Sequence, residues 1–374
     1  MTALLVVNAG SSSLKAGIFD AALTQVAAVA VTEIGGLARL GDHPVAAPDH
    51  AAAMRLLLEA FARAGWPVTG LTAAAHRIVH GGATLTTPCR LTPGILADIT
   101  ALIPLAPLHN PANLAAVHAL TALAPALPQY ASFDTAFHAT IPPVAHRYAL
   151  PPEAEAMGLR RYGFHGLSYA AMVAGWDGPL PDRLLAYHLG NGASACAILR
   201  GRSVATTMGY SPLDGLTMGT RCGEIDGNAV LRLAEVYGIS GAGRILNRES
   251  GLLGLGAASD MRALAQAGTE RAAFARAHFA YSAVRHGGSL VAAMGGLDAV
   301  AFTGGIGEND PGLRAAIMQG LGFIGAQVDP AANAAGSPRI QSDRSRVAIR
   351  LVAAAEERQI ASEALQVMAG EGVS

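Results

Sequence analysis

Three short stretches hold most of the residues with the chemistry to grip an anion. VVNAGSSSLK, Val6 to Lys15, sets Asn8, Ser11 and Ser12 behind an apolar run and ends on Lys15, the only lysine among 26 basic side chains. Small residues leave backbone N–H groups and hydroxyls open to an anion such as phosphate. The stretch lacks the second glycine and closing G-K-[ST] of a Walker A loop, so it is not a P-loop by pattern, and an ordinary hairpin turn is the plainer reading. HLGNG, His188 to Gly192, and TGGIGEN, Thr303 to Asn309, also read as Gly-rich turns after apolar strands. Nucleotides bind at such strand ends in α/β proteins. One turn of this kind says little, and three of them in two halves of a chain say considerably more.

Four charged residues add to this. AHRIVHGG (75–82) buries Arg77 in an apolar strand, where it must meet an anion. A structural ion pair and a substrate carboxylate both satisfy that demand. Asp134, in FDTAFHAT, ends an apolar stretch. It reads first as a cap for the turn that follows, and second as a carboxylate that orients a nucleophile or holds a metal. His165 lies among arginines and aromatics in RRYGFHG, a setting more often structural than catalytic. Arg221, in MGTRCGEIDGN, has Glu224 and Asp226 nearby as local partners, or else points its fork at a phosphoryl group. Gly-rich turns, cationic groups and carboxylates together suit phosphoryl transfer, which needs positioning and charge neutralisation above all.

These residues need a scaffold. Residues 3–7 and 16–19 read as strands around a tight turn, 50–64 as a helix stopped by Gly65 and Pro67, 73–79 as a strand, 112–124 as a buried helix and 130–133 as a strand. Strand, Gly-rich turn and strand return at 184–199. Further strands are expected at 298–302 and 347–352, and a helix at 356–369. Two α/β halves, each opening on a hairpin, imply a duplicated fold with a cleft between the halves and a junction within 139–182.

Composition excludes several classes. With 374 residues, 51% hydrophobic and 14% charged, the chain suits two ordered domains. A net charge of -1 with no basic block argues against nucleic acid. The longest uncharged stretch, Ile99 to Phe133, is broken by prolines and polar residues, so no membrane span is expected. Cys89, Cys196 and Cys222 make no CxxC pair and suggest reduced, cytoplasmic thiols.

The motifs resemble one family, the acetate kinases. VVNAGSSSLK, HRIVHGG, FDTAFH, RRYGFHG, HLGNG, GYSPLDGLTMGTRCGEID, FTGGIGEN and AEERQIA follow that family's order from residue 6 to 361, while 20–70 and 230–295 carry little likeness. The resemblance implies an α/β, duplicated ribonuclease-H-like fold of the actin/Hsp70/sugar-kinase type, with two domains around a nucleotide cleft. An N-terminal domain would take 1–138 plus 358–374 and a C-terminal nucleotide-binding domain 139–357. The implied reaction is reversible transfer from ATP to acetate, giving acetyl phosphate and ADP, with Mg²⁺ (or Mn²⁺ in its place), in a cytoplasmic homodimer. Matched positions then carry roles. Asn8 and Glu356 would face the metal. Ser11, Ser12 and Lys15, then His188, Asn191 and Gly192, and then Gly304, Gly305, Ile306 and Asn309 would meet the nucleotide, Lys15 remaining open between a phosphate and a carboxylate. Arg77 and Arg221 would hold the substrate carboxylate, and Val79, Leu108 and Pro212 its methyl group. Asp134 would orient the acetate or act on the metal–phosphate assembly, and His165 with Arg221 would stabilise the planar phosphoryl group.

The chain departs from the family's habit at Ala205, Glu224 and Gly227, and at Tyr169, where the family often has His. Propionate or butyrate kinase of the same family is the near alternative, since one methylene discriminates by only about 1–3 kcal/mol. A chaperone-type ATPase of the same fold is the distant one.

Overall fold

A computed structural model describes residues 2–371. The chain divides into two compact units, Met1–Ala136 with Ala355–Ser374, and Phe137–Ala354. The joints fall at 136/137 and 354/355, against expected joints at 138/139 and 357/358, the second of which lies inside the helix Glu356–Glu371.

The first unit is built on a sheet ordered β5-β4-β3-β2-β1-β6-β8-β7. Its strands are β1 (Ala3–Ala9), β2 (Ser13–Asp20), β3 (Gln25–Thr32), β4 (Arg39–Leu40), β5 (His43–Pro44), β6 (Ala73–Ile78), β7 (Cys89–Arg90) and β8 (Gln129–Phe133). β1, β2 and β3 form an antiparallel meander, and β6 and β8 run parallel to β1.

The pleat then decides which face each side chain takes. Leu5, Val7 and Ala9 of β1 and Leu14, Ala16 and Ile18 of β2 pack on the helices His50–Arg63 and Asn110–Leu123. Asn8, and Lys15 opposite it in register, must face the other way. The same parity turns Arg77 in β6 and its register partner Ser132 in β8 to that second face, with Asp134 just beyond the strand. Helix Glu356–Glu371 packs across β1, β6 and β8 there, and Tyr130 donates to Glu371 at 2.8 Å.

The second unit has β9 (Arg183–Leu189), β10 (Ala193–Leu199), β11 (Arg202–Thr206), β12 (Ala299–Thr303) and β13 (Ala348–Leu351), ordered β11-β10-β9-β12-β13. Read by rank in the chain, this order is third, second, first, fourth, fifth, and β3-β2-β1-β6-β8 repeats it. In both units the first three strands are antiparallel and the last two run parallel to the first. That repeat is the duplicated ribonuclease-H-like fold. Leu184, Ala186, Cys196 and Ile198 lie under Tyr169 and Met172 of the helix Gly166–Ala174. On the other face Tyr187 donates its phenol proton to the Ala283 carbonyl (2.9 Å) of the helix Glu270–Met294, where Gly287 leaves room for the ring.

TGGIGEN corrects the sequence reading. Thr303 ends β12, and Gly304–Asn309 is a short helix, not a turn. Its glycines suggested a turn because glycine is a poor helix former. The Glu308 carboxylate, however, reaches back to accept from the Gly304 N–H at 3.0 Å and closes the helix locally. Gly304 itself needs its glycine: φ is +81° and an added Cβ would stand 2.7 Å from the Leu189 carbonyl oxygen.

Candidate active site

In the first unit four polar side chains meet at the end of β6. Arg77 Nε donates to Asp134 Oδ1 at 2.9 Å and Nη2 to Oδ2 at 2.6 Å, a bidentate pair. Arg77 Nη1 donates to Asn8 Oδ1 at 3.3 Å and stands 3.9 Å from a Glu356 carboxylate oxygen. Burial alone would lower the Arg77 pKa, but Asp134 and Glu356 outweigh it and hold the guanidinium above its ordinary value. Asp134, which reads from the sequence first as a cap for the next turn, gives both its oxygens to Arg77 in this pair. Deeper on the same face, burial and the Asp134 charge raise the Glu363 carboxyl, against hydrogen bonds from Gln359 and Ser132.

Two carboxylates surround one guanidinium here, so the cluster has negative charge to spare. Among the described residues no three metal-binding side chains of the His, Cys, Asp and Glu kind come together. Asn8 Oδ1 and the Glu356 carboxylate are hard oxygen donors, and such a sparse set fits Mg²⁺, which keeps several waters and takes one or two carboxylates plus substrate phosphates. Lys15 is exposed and makes no ion pair among the described residues. Ser11 and Ser12 are exposed in the β1–β2 turn, which closes by Gly10 N–H donating to the Ser13 carbonyl at 2.8 Å. Val79 is buried, its N–H donating to Asn113 Oδ1 at 3.0 Å, and Leu108 is 43% exposed.

In the second unit the pleat sends His188 and Ser194 to the face covered by helix Gly166–Ala174. His165 precedes that helix with φ 59° and ψ 22°, a left-handed backbone that costs a non-glycine residue energy and is found at functional sites. His165 Nδ1 is 2.8 Å from Ser194 Oγ, which is 2.6 Å from the Tyr169 hydroxyl. The His165 and His188 ring centroids lie 4.3 Å apart with the planes tilted by 32°, and His188 Nδ1 bonds Ser168 Oγ at 2.8 Å. Gly192 sits under both functional groups: a Cβ added there would lie 2.7 Å from an Arg221 Nη and 3.1 Å from His165 Nε2. Arg221 donates to the Pro212 carbonyl at 2.5 Å. Its sequence neighbours are engaged elsewhere, Glu224 with Arg285 and His286, and Asp226 as the cap of helix Gly227–Arg248. The local ion pair considered from the sequence is therefore not the arrangement found.

Beside this cluster is a cavity of about 860 Å³, within the range of small-molecule sites, roughly 300–1,000 Å³. Asn191, Gly305, Ile306 and Asn309 line it, so four residues expected to meet a nucleotide do come together. Asp260, Met261 and Arg262 line its other wall and were missed. Asp260 caps the helix Met261–Gln266 and pairs with Arg262 at 2.9 Å, which with backbone N–H bonds lowers its carboxyl to about 2. An Asp before a short helix is too common a signal to mark a site.

The sequence profile of the Acetokinase family matches residues 3–362. The chain is similar to the acetate kinase of Leifsonia xyli subsp. xyli, 44% identical over 395 residues that cover 99% of this chain and 100% of that protein. Among solved structures it is similar to the acetate kinase of Porphyromonas gingivalis, at 33% identity and TM-score 0.88, covering 98% of this chain and 100% of that one. It is also similar to a propionate kinase from Francisella tularensis subsp. tularensis SCHU S4, at 32% identity and TM-score 0.90, covering 97% of this chain and 99% of that one. With a profile match over nearly its whole length, two units of one strand order and these clusters on the matching motifs, the chain belongs to the acetokinase family.

Proposed function

We propose that the chain is an acetate kinase, transferring the γ-phosphoryl group of ATP reversibly to acetate. The observation that carries this reading is the meeting of His165 and Arg221 over Gly192, beside a nucleotide-sized cavity lined by Asn191, Gly305 and Ile306. In the forward direction a bond forms between an acetate oxygen and the γ-phosphorus while the bond to the ADP oxygen breaks, in line and without a covalent enzyme intermediate. Charge spreads over the three equatorial phosphoryl oxygens, and donors fixed in advance stabilise it. Arg221 supplies a permanent positive charge and His165 a ring N–H. Ser11, Ser12, Lys15, His188 and Gly192 serve the phosphates, and Gly304 and Asn309 the nucleoside side. Arg77 and Arg221 bind the carboxylate, Asp134 orients it, and Val79, Leu108 and Pro212 take the methyl group. Asn8 and Glu356 would hold Mg²⁺, whose chemistry is to neutralise phosphate charge.

A homodimer belongs to the same reading, supported by exposed apolar side chains on either side of the kink at Gly238, namely Leu231, Val236 and Tyr237 before it and Ile239 after it. A cytoplasmic location is in keeping with three unpaired cysteines, and no helix among the described residues is long and apolar enough to cross a membrane.

Trapping the acyl phosphate as its hydroxamate, with acetate, propionate and butyrate in turn, tests the proposal. The expected order in kcat/KM puts acetate first. A tenfold preference for propionate would move the substrate assignment to the longer acid, and ATP turnover indifferent to any carboxylate would end the kinase reading.

A further inference from the structure

We propose that Tyr169 and Ser194 are positioning residues that lock the His165 imidazole in the tautomer carrying its proton on Nε2. The proposal rests on the reading of His165 as a donor to the phosphoryl group, and deepens it.

The geometry is a chain of three buried groups. Tyr169, one turn into the helix that His165 begins, places its hydroxyl 2.6 Å from Ser194 Oγ, and Ser194 Oγ stands 2.8 Å from His165 Nδ1. Tyr169 and Ser194 are fully buried and His165 is 9% exposed, so no bulk water competes for these bonds. Directions follow from counting protons. Burial holds the phenol protonated, and Ser194 Oγ is the group that its hydroxyl meets. The phenol proton therefore goes to Ser194 Oγ. Ser194, accepting from Tyr169, directs its own single proton to His165 Nδ1. A neutral imidazole has one N–H, and with Nδ1 accepting, that proton is on Nε2.

Nε2 is the nitrogen that faces the reaction. It lies 3.1 Å from where a Gly192 Cβ would stand, next to the Arg221 guanidinium. In the other tautomer the Nε2 lone pair would point at the phosphoryl oxygens and repel them. The His188 ring, tilted against it at 4.3 Å, and the left-handed backbone of His165 restrain the ring, but neither distinguishes its two nitrogens. The Tyr169–Ser194 chain does that.

The experiment is ¹⁵N NMR of the full chain labelled at histidine, with His165→Gln to assign the signal. The expected result is a bare Nδ1 and a protonated Nε2 in wild type, and loss of that bias in Tyr169→Phe and in Ser194→Ala. In both variants kcat should fall roughly 10–100-fold, the usual scale for a group orienting a functional imidazole, with KM for ATP and acetate within twofold. A merely structural role would leave the tautomer unchanged. Each variant removes one hydroxyl, and either one alone suffices if the other does not fold. A proton on Nδ1 in wild type, or an unchanged tautomer in the folded variants, overturns the proposal. The tautomer is read without turnover: a protein with the expected tautomer and no acetate-dependent activity would sink the kinase reading and leave the relay standing.

Discussion

Arg77 and Asp134 share a bidentate ion pair at 2.9 and 2.6 Å, with Asp134 almost wholly buried and the Arg77 side chain 20% exposed. Arg77 lies in β6 and Asp134 just past the end of the neighbouring parallel strand β8, and both are proposed to act on the substrate carboxylate, one binding it and one orienting it. In this structure each is the other's principal charge partner. A substrate carboxylate held by Arg77, as proposed, would share it with Asp134, so the pair would pre-organise the cluster at the expense of some affinity.

A double-mutant cycle reads that coupling. Arg77→Met strips the buried Asp134 carboxylate of its bidentate cation. It should lower unfolding free energy by about 2 kcal/mol, below the ~3–5 kcal/mol of a fully buried pair because Arg77 is partly solvated. Arg77→Met/Asp134→Leu should recover most of that loss while staying inactive. Urea denaturation of the four proteins measures it, and additive losses would show that the pair is not coupled.

Arg221→Ala should reduce kcat by about 10²–10³, the cost of one fixed donor to a developing charge. Gly192→Ala should be nearly as informative, since it removes no functional group. Its methyl would press on Arg221 and His165 together, and displacements of about 1 Å can cost up to ~10²-fold. Steady-state kinetics of both variants decides; a Gly192→Ala enzyme with wild-type kcat would mean that the two side chains do not converge there during turnover.

Asp260→Asn separates capping from nucleotide binding. Asn caps helices about as well as Asp, so the helix Met261–Gln266 should persist by circular dichroism. The pairing with Arg262 in the cavity wall is lost, and KM for ATP should rise about tenfold with kcat unchanged, the pattern of a uniform binding loss. A fall in kcat at constant KM would instead tie this wall to the chemistry.

Stability should fall on mild acidification. His76 and His138 are buried, and burial lowers each to about 4 against an ordinary 6.5, despite hydrogen bonds to Gln129 and to the Phe164 carbonyl. Between pH 6.5 and 4 the unfolded chain binds protons at these two sites and the folded chain does not. Stability therefore rises with pH across that window and is lost as pH falls, with a slope approaching about 2.7 kcal/mol per pH from the two groups. Urea midpoints from pH 7.5 to 4.5 test this, and a flat profile through pH 5 would contradict it.

The sequence was most legible where periodicity and punctuation agree. The strands carrying Asn8, Arg77 and His188 are apolar runs closed by glycine, and the helix His50–Arg63 ends where Gly65 and Pro67 say it should. It was least legible where tertiary partners decide. The ion pair of Asp134 was hidden because its partner is 57 residues away in sequence. TGGIGEN looked like a turn because the bond from Gly304 to Glu308 exists only in the folded loop. Strand β3 passed unread because its mixed run of alanines and valines gives no clear polar–apolar alternation, and Asp260 to Arg262 carry no motif of their own. Ser194, flanked by alanines, gave no hint that it joins Tyr169 to His165.

The first unit is discontinuous, with its last helix drawn from the end of the chain. A ribosome therefore delivers the β1, β6 and β8 face long before anything can cover it. Residues 137–354 can close on themselves as an uninterrupted segment while that face waits. Glu356, the carboxylate expected on the metal side, arrives with the covering helix, so the final helix is both the lid of a core and the last donor of a site. A chain released early would display the β1–β2 hairpin beside an open sheet face, a species recognisable to a chaperone.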